Sequence, residues 1–164
     1  MSKHNLIIIA TVGRNREIGC GDNLLWRFKE DMNFFRDTTM GHYVMMGRKT
    51  FDNMPKDLVG RKYLVLSRKL SDSANIKTFD SVDAFLQFAR LAEEDIYVIG
   101  GGELYTVLLQ CTDKMILTEV NAVAENADVF FPKFNKAEWN TELAGKFTSA
   151  DGITYTRNIY TRKS

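Results

Sequence analysis

The sequence predicts an α/β fold: a mixed, mostly parallel central sheet with helices on both faces and a C-terminal antiparallel hairpin, with residues 1–164 forming a single domain. Three observations predict it. Asn5 to Val12 is an apolar run rich in Ile, too short for a helix and flanked by polar residues, as a strand buried on both faces is. Further short strands alternate with helical stretches along the chain, the order that builds a parallel sheet. Residues 139–147 and 153–162 flank Asp151-Gly152, a strong hairpin signal.

At 164 residues the chain has the size of one domain and can bury a sizeable core. Its 45% hydrophobic and 26% charged residues match ordinary globular usage, so neither disorder nor a membrane protein is indicated. Net charge is +1 without a basic block, which argues against a nucleic-acid partner. No apolar run is long enough for a membrane span, and the N-terminal residues lack the order of a signal peptide. A cytoplasmic protein with no membrane partner is therefore expected. Cys20 and Cys111 have no metal-type spacing, and with His4 and His42 the only histidines, reduced thiols and no metal are expected. A monomer is expected, since every apolar stripe has an internal partner.

After the first strand, residues 13–25 carry Gly13, Gly19 and Gly21 with Asn15, Asp22 and Asn23 around the apolar Ile18, the composition of a long loop. A helix then runs to about Thr38 and stops before Gly41. On it Phe28, Asp31, Met32 and Phe35 share one face, which puts a carboxylate inside an apolar stripe. A buried, unpaired carboxylate is costly, so Asp31 turns to solvent, pairs with a buried cation, or waits for a ligand that donates hydrogen bonds. Tyr43 to Met46 is the next strand. Gly47-Arg48-Lys49-Thr50 then opens a short helix ending before Pro55, where free N–H groups, basic side chains and a hydroxyl suit a phosphate.

Lys62 to Ser67 is a strand with Arg68-Lys69 at its carboxyl end, and Ile76 to Phe79 an edge strand. Ser81 caps a structural helix with Val82, Phe85, Leu86 and Leu91 on its inner side. Ile96 to Ile99 leads into Gly100-Gly101-Gly102, followed by a helix from Glu103 to Leu109. Three glycines in a row exceed what packing usually needs and point to close approach of backbone to a flat or phosphorylated ligand. Tyr105 stands where a Rossmann fingerprint has its third glycine, so that motif is absent. Met115 to Val120 is a strand, Asp128 to Phe131 a short extended piece, and the hairpin closes the chain.

In a parallel sheet the strand ends near Gly47, Ser67 and Ile99 share one edge, which gathers two basic segments and the triple glycine into a nucleotide site. Arg48 and Arg68 at separate strand ends suit a terminal phosphate as well as a pyrophosphate, favouring NADP(H) over NAD(H).

With these pieces in view, the chain resembles the chromosomal-type dihydrofolate reductases. The resemblance rests on Ala10, Ile18-Gly19, Trp26, Asp31, Phe34-Phe35, Thr39, Met46-Gly47-Arg48-Lys49-Thr50, Gly60-Arg61, Leu66-Ser67-Arg68, Val98 to Gly102, Tyr105, Thr118, and Asp128 with Phe131-Pro132. These run in the family's order over essentially the whole chain. The resemblance implies hydride transfer from NADPH to carbon 6 of dihydrofolate with a proton added at nitrogen 5. It further implies that Asp31 pairs with the pterin amino group and ring nitrogen, that Thr118 hydrogen-bonds Asp31, and that Asp31 and Trp26 hold the proton-delivering water. The charge of Asp31 is then expected to be satisfied only with ligand or water present.

By the same resemblance Ile9, Met32, Phe35, Leu58 and Ile99 wall the substrate and Arg61 binds its glutamate carboxylate. Arg48, Lys49, Thr50, Ser67 and Arg68 hold cofactor phosphates. Ala10, Thr11, Ile18, Gly19, Gly100, Gly101, Gly102 and Tyr105 border the nicotinamide and its ribose, with a cis peptide between Gly100 and Gly101. Antifolate-type ligands would share the substrate's site. Leu25 stands where the family usually has proline, and Arg27-Phe28-Lys29 lacks the common proline, so a less stiff loop is expected. Asn53 and Pro55 replace a usual serine and glycine, and Glu103 is acidic where some members are basic. Two alternatives are a reductase of the same fold acting on another pyrimidine or pterin, and a nucleotide-binding module without catalysis.

Overall fold

The computed structural model describes residues 5–21, 23–54 and 60–164; Asp22, Pro55 and Leu58 lie outside them. The strands are β1 (Leu6–Val12), β2 (Glu17–Cys20), β3 (Asn23–Leu24), β4 (Tyr43–Gly47), β5 (Lys62–Leu66), β6 (Ile76–Phe79), β7 (Ile96–Gly100), β8 (Lys114–Val120), β9 (Val129–Phe130), β10 (Trp139–Thr148) and β11 (Thr154–Arg162). The helices are α1 (Lys29–Thr39), α2 (Arg48–Asn53), α3 (Val82–Leu91) and α4 (Gly102–Leu108).

Eight strands form one sheet in the order β10-β11-β8-β1-β7-β4-β5-β6. The block from β8 to β6 is parallel, and β11 runs against β8 and β10. The carboxyl ends of β1, β4, β5 and β7 therefore reach one edge of the sheet, as the alternation of strands and helices predicts.

Alternate residues of each strand face opposite sides. Ile7, Ile9, Val44, Met46, Tyr97 and Ile116 form one apolar layer, against which Phe34 and Phe35 of α1 pack. Leu6, Ile8, Val98, Met115 and Leu117 form the other, with Phe85 and Ala89 of α3 and Leu104 and Leu108 of α4. Leu91, expected on the inner side of α3, is 87% exposed. It lies six residues beyond Phe85, about 240° around a helix of 3.6 residues per turn, and so faces outward.

Residues 13–25 are more structured than a loop: β2 and β3 join β9 in a second sheet of order β3-β2-β9. Its ladder reaches a segment more than a hundred residues away, with Gly19 paired to Val129. Local composition carries no trace of such a partner. Leu25 N–H closes on the Ile18 carbonyl at 3.3 Å, a bond a proline could not donate. The residue that stands where proline is usual thus contributes a backbone bond within this segment.

Candidate active site

Asp31 lies in the first turn of α1, where a negative charge suits the helix dipole, yet it is only 8% exposed. Beneath it the sheet presents a transverse row. Thr11 of β1 pairs in register with Thr118 of β8, and Thr118 with Arg157 of β11. Residues in register share a face, so two hydroxyls and a guanidinium point at α1 together. All three donate to Asp31: Thr118 Oγ1 to Oδ1 at 2.6 Å, Arg157 Nη2 to Oδ1 at 2.7 Å, and Thr11 Oγ1 to Oδ2 at 2.5 Å.

Arg157 is itself fixed from several sides. Nη1 and Nη2 grip the two oxygens of Glu30 at 2.9 Å each, and Nε reaches Thr118 Oγ1 at 3.3 Å. Its guanidinium carbon lies 3.8 Å from the ring centre of Phe34 and 4.8 Å from that of Phe147. Tyr155 Oη also donates to Glu30, at 3.0 Å, and its ring stacks on Phe28 at 4.6 Å. The hydrogen bonds from Arg157 hold the Glu30 carboxyl below its usual range, against the opposing effect of burial. Burial works against the Arg157 charge, but the bonds to Glu30 and Asp31 outweigh it and its pKa is raised. Burial and the bond to Glu30 push the Tyr155 phenol up to about 12.

The expectation that Asp31 is satisfied only with ligand or water present is therefore corrected. A buried cation, one of the three options its position left open, already pairs with it. A carboxylate has about four acceptor sites. Thr118 and Arg157 occupy Oδ1, while Oδ2 accepts from Thr11 alone among the described residues, so Oδ2 keeps room for an N–H donor.

The other expected substrate residues are placed as follows. Ile9, Phe35 and Ile99 belong to the apolar layer facing α1. Met32 is 53% exposed, which leaves the middle of the α1 stripe open. Leu58 lies outside the described residues. Arg61 is at the far end of α1, buried, with Nε donating to Thr39 Oγ1 at 2.9 Å and Nη2 to the Arg36 carbonyl at 2.6 Å. Trp26 Nε1 donates to the Glu17 carbonyl at 3.3 Å.

On the side expected to take the cofactor, the Gly100–Gly101 peptide is cis and Gly100 has φ +127°. A Cβ on Gly102 would lie 2.9 Å from Val129 Cγ1 and 3.2 Å from the Phe130 carbonyl, so β9 dictates that glycine. The reading that packing does not ask for the run is corrected at this position. A Cβ on Gly101 would meet Thr50 Oγ1 at an ordinary 3.7 Å, so Gly101 is the member whose open backbone a ligand could approach. Ile18 packs against Gly102, and Gly19 is tied to the 128–129 segment through the Asp128 N–H. Tyr105 Oη donates to the Ile9 carbonyl at 2.8 Å, and burial pushes its pKa far up. Arg48 bonds Asp52 at 3.0 Å and Ser67 Oγ at 3.3 Å, while Lys49 and Arg68 are exposed nearby in sequence.

The family model for dihydrofolate reductase matches residues 5–162. The chain belongs to the dihydrofolate reductase family. It is 37% identical over 139 residues to a dihydrofolate reductase of Haemophilus influenzae, covering 85% of this chain and 84% of the relative. It is 34% identical over 154 residues to one of Neisseria gonorrhoeae, covering 92% and 94%. It is 34% identical over 165 residues to the type A13 enzyme of Escherichia coli, covering 97% and 95%. As a dihydrofolate reductase family member the chain is an oxidoreductase, and its α/β architecture is that of the family.

Within this dihydrofolate reductase framework three polar residues escaped the sequence reading. Arg157 alternates with Tyr155 and Ile159 on an inward strand face, and a cation at such a position was a readable signal. Glu30 is its partner. Glu17 is 1% exposed and accepts from the N–H groups of Asn15 at 2.7 Å and Ala124 at 2.6 Å, tying the first loop to the segment after β8. Nothing local in the sequence marks Glu17.

Proposed function

We propose that the chain reduces 7,8-dihydrofolate to 5,6,7,8-tetrahydrofolate with NADPH, by hydride transfer to C6 and protonation of N5, in support of one-carbon metabolism. The observation that carries this reading is the inward carboxylate of Asp31, with acceptor capacity left on Oδ2. The amino and ring N–H groups of a pterin are donors of the kind such a carboxylate binds strongly. Thr118 and Thr11 hold the carboxylate to receive them. Ile9, Met32, Phe35 and Ile99 wall the rings, and Arg61 binds the glutamate carboxylate of the substrate. Asp31 and Trp26 order the water through which N5 gains its proton.

The residues present fit a dinucleotide with a terminal phosphate. Gly101 offers open backbone beside Thr50, and the Arg48–Ser67 pair and the exposed Arg68 and Lys49 supply guanidinium, hydroxyl and ammonium donors. When bound, NADPH supplies the hydride. Ala10, Thr11, Ile18, Gly19, Gly100, Gly102 and Tyr105 shape the nicotinamide subsite and exclude water from it. The enzyme works as a cytoplasmic monomer in this reading, and 2,4-diaminopyrimidine antifolates compete for Asp31.

Loss of NADPH absorbance on adding dihydrofolate tests the activity, and a diaminopyrimidine should abolish it. Asp31→Asn should keep the fold and NADPH binding while turnover at neutral pH falls on the order of a hundredfold, the scale of losing a positioned acid–base group. NADPH binding without oxidation in the parent protein would instead favour a binding module.

A further inference from the structure

We propose that Arg157 is a positioning residue of the site, one that sets the orientation of Asp31. The inference rests on the reading that Asp31 binds the pterin. Arg157 reaches Asp31 twice. Nη2 donates to Oδ1 directly, and Nε donates to the Thr118 hydroxyl, whose own proton is thereby directed at the same Oδ1. The result is a closed ring of hydrogen bonds among a carboxylate, a hydroxyl and a guanidinium, and the carboxylate cannot rotate without breaking two of its members.

The guanidinium is rigid enough to act as such a reference. Glu30 holds its outer edge with a two-point fork, and Phe34 and Phe147 lie against it. Its side chain is 4% exposed, whereas that of Glu30 is 42% exposed. Solvent thus screens Glu30 more than it screens Arg157, and the positive charge acts on Asp31 at close range. The titratable groups facing Asp31 are Glu30 from α1 and Arg157 and Tyr155 from β11; β1 and β8 contribute the neutral Thr11 and Thr118. Arg157 therefore preorganises the acceptor before substrate arrives, so that less of the binding free energy is lost in ordering it.

The rival view is a buried ion pair that only joins α1 to β11. It predicts a fall in Tm without change in substrate kinetics. The experiment compares Arg157→Met, Arg157→Lys and Asp31→Asn with the parent, measuring kcat and KM for dihydrofolate from pH 5 to 9 and NADPH affinity by fluorescence. Arg157→Met should raise KM about tenfold, equivalent to about 1.4 kcal/mol. NADPH affinity should stay within about twofold. Arg157→Lys should not restore KM, because an ammonium keeps the charge and loses the fork geometry.

A parent-like KM in Arg157→Met, with only Tm lowered, would overturn the proposal. If Arg157→Met does not fold, Arg157→Lys decides, and an unchanged KM there overturns it equally. An inactive Asp31→Asn beside a normal Arg157→Met removes the role of Arg157 alone. An Asp31→Asn variant as active as the parent removes the pterin-binding reading and the Arg157 proposal with it.

Discussion

Helices α1 and α3 pack on opposite faces of the same sheet and follow opposite rules. Helix α3 starts at Ser81, whose hydroxyl accepts from Ala84 N–H at 3.1 Å, and its buried positions are Phe85 and Ala89. Helix α1 starts at Phe28, which offers no side-chain cap, and its buried positions are Asp31 and Thr39. Burial of apolar area holds α3 in place. Polar bonds hold α1 at both ends, through the Thr11–Thr118–Arg157 row under Asp31 and through Arg61 under Thr39. Apolar burial fixes where a helix lies, while directional bonds also fix how a chosen side chain is aimed. The helix that departs from the ordinary pattern is the one that carries the candidate chemistry.

Phe85 is 0% exposed and meets Phe79 edge-on at 5.6 Å. Phe85→Ala should cost about 3–5 kcal/mol in urea unfolding with KM for dihydrofolate unchanged; a KM that moves with stability would show that α3 also shapes the site. Ser81→Ala is the milder version. Loss of that cap should cost about 1 kcal/mol, seen as a small drop in Tm with parent turnover. Asp31→Asn should lose turnover far beyond its effect on stability, while Tm also falls because the buried Arg157 keeps only Glu30 as a carboxylate partner.

The sequence made α3 readable because its determinants are local: a capping serine, a first-turn acid and apolar residues at helical spacing. The central strands were readable for the same reason, since Val and Ile runs mark strands wherever they pair. Asp31 announced itself by breaking a local pattern. Its pairing with Arg157 was not readable, because Arg157 lies 126 residues away and the register that sets Thr11, Thr118 and Arg157 in one row exists only in the assembled sheet. The second sheet was hidden likewise, as was the crowding of Gly102 by Val129. Single residues with a charge or a missing side chain were visible, and the long-range contact that explains each was not.

The smallest expected effect concerns Glu30, the exposed end of the ion network. The bonds from Arg157 place its folded pKa below the ordinary 4.5. A carboxylate so depressed adds stability above its unfolded pKa and loses it as pH falls through the folded value. Glu30→Gln should therefore lower Tm slightly at neutral pH, and the gap from the parent should close as pH falls below about 4.5. With 42% of the Glu30 side chain exposed, solvent screening keeps the gap well under about 1 kcal/mol, and added salt should narrow it further. A gap that persisted unchanged at pH 3 would mean that Glu30 contributes through packing against Tyr155, and that the charge holding Arg157 in place is supplied by Asp31 alone.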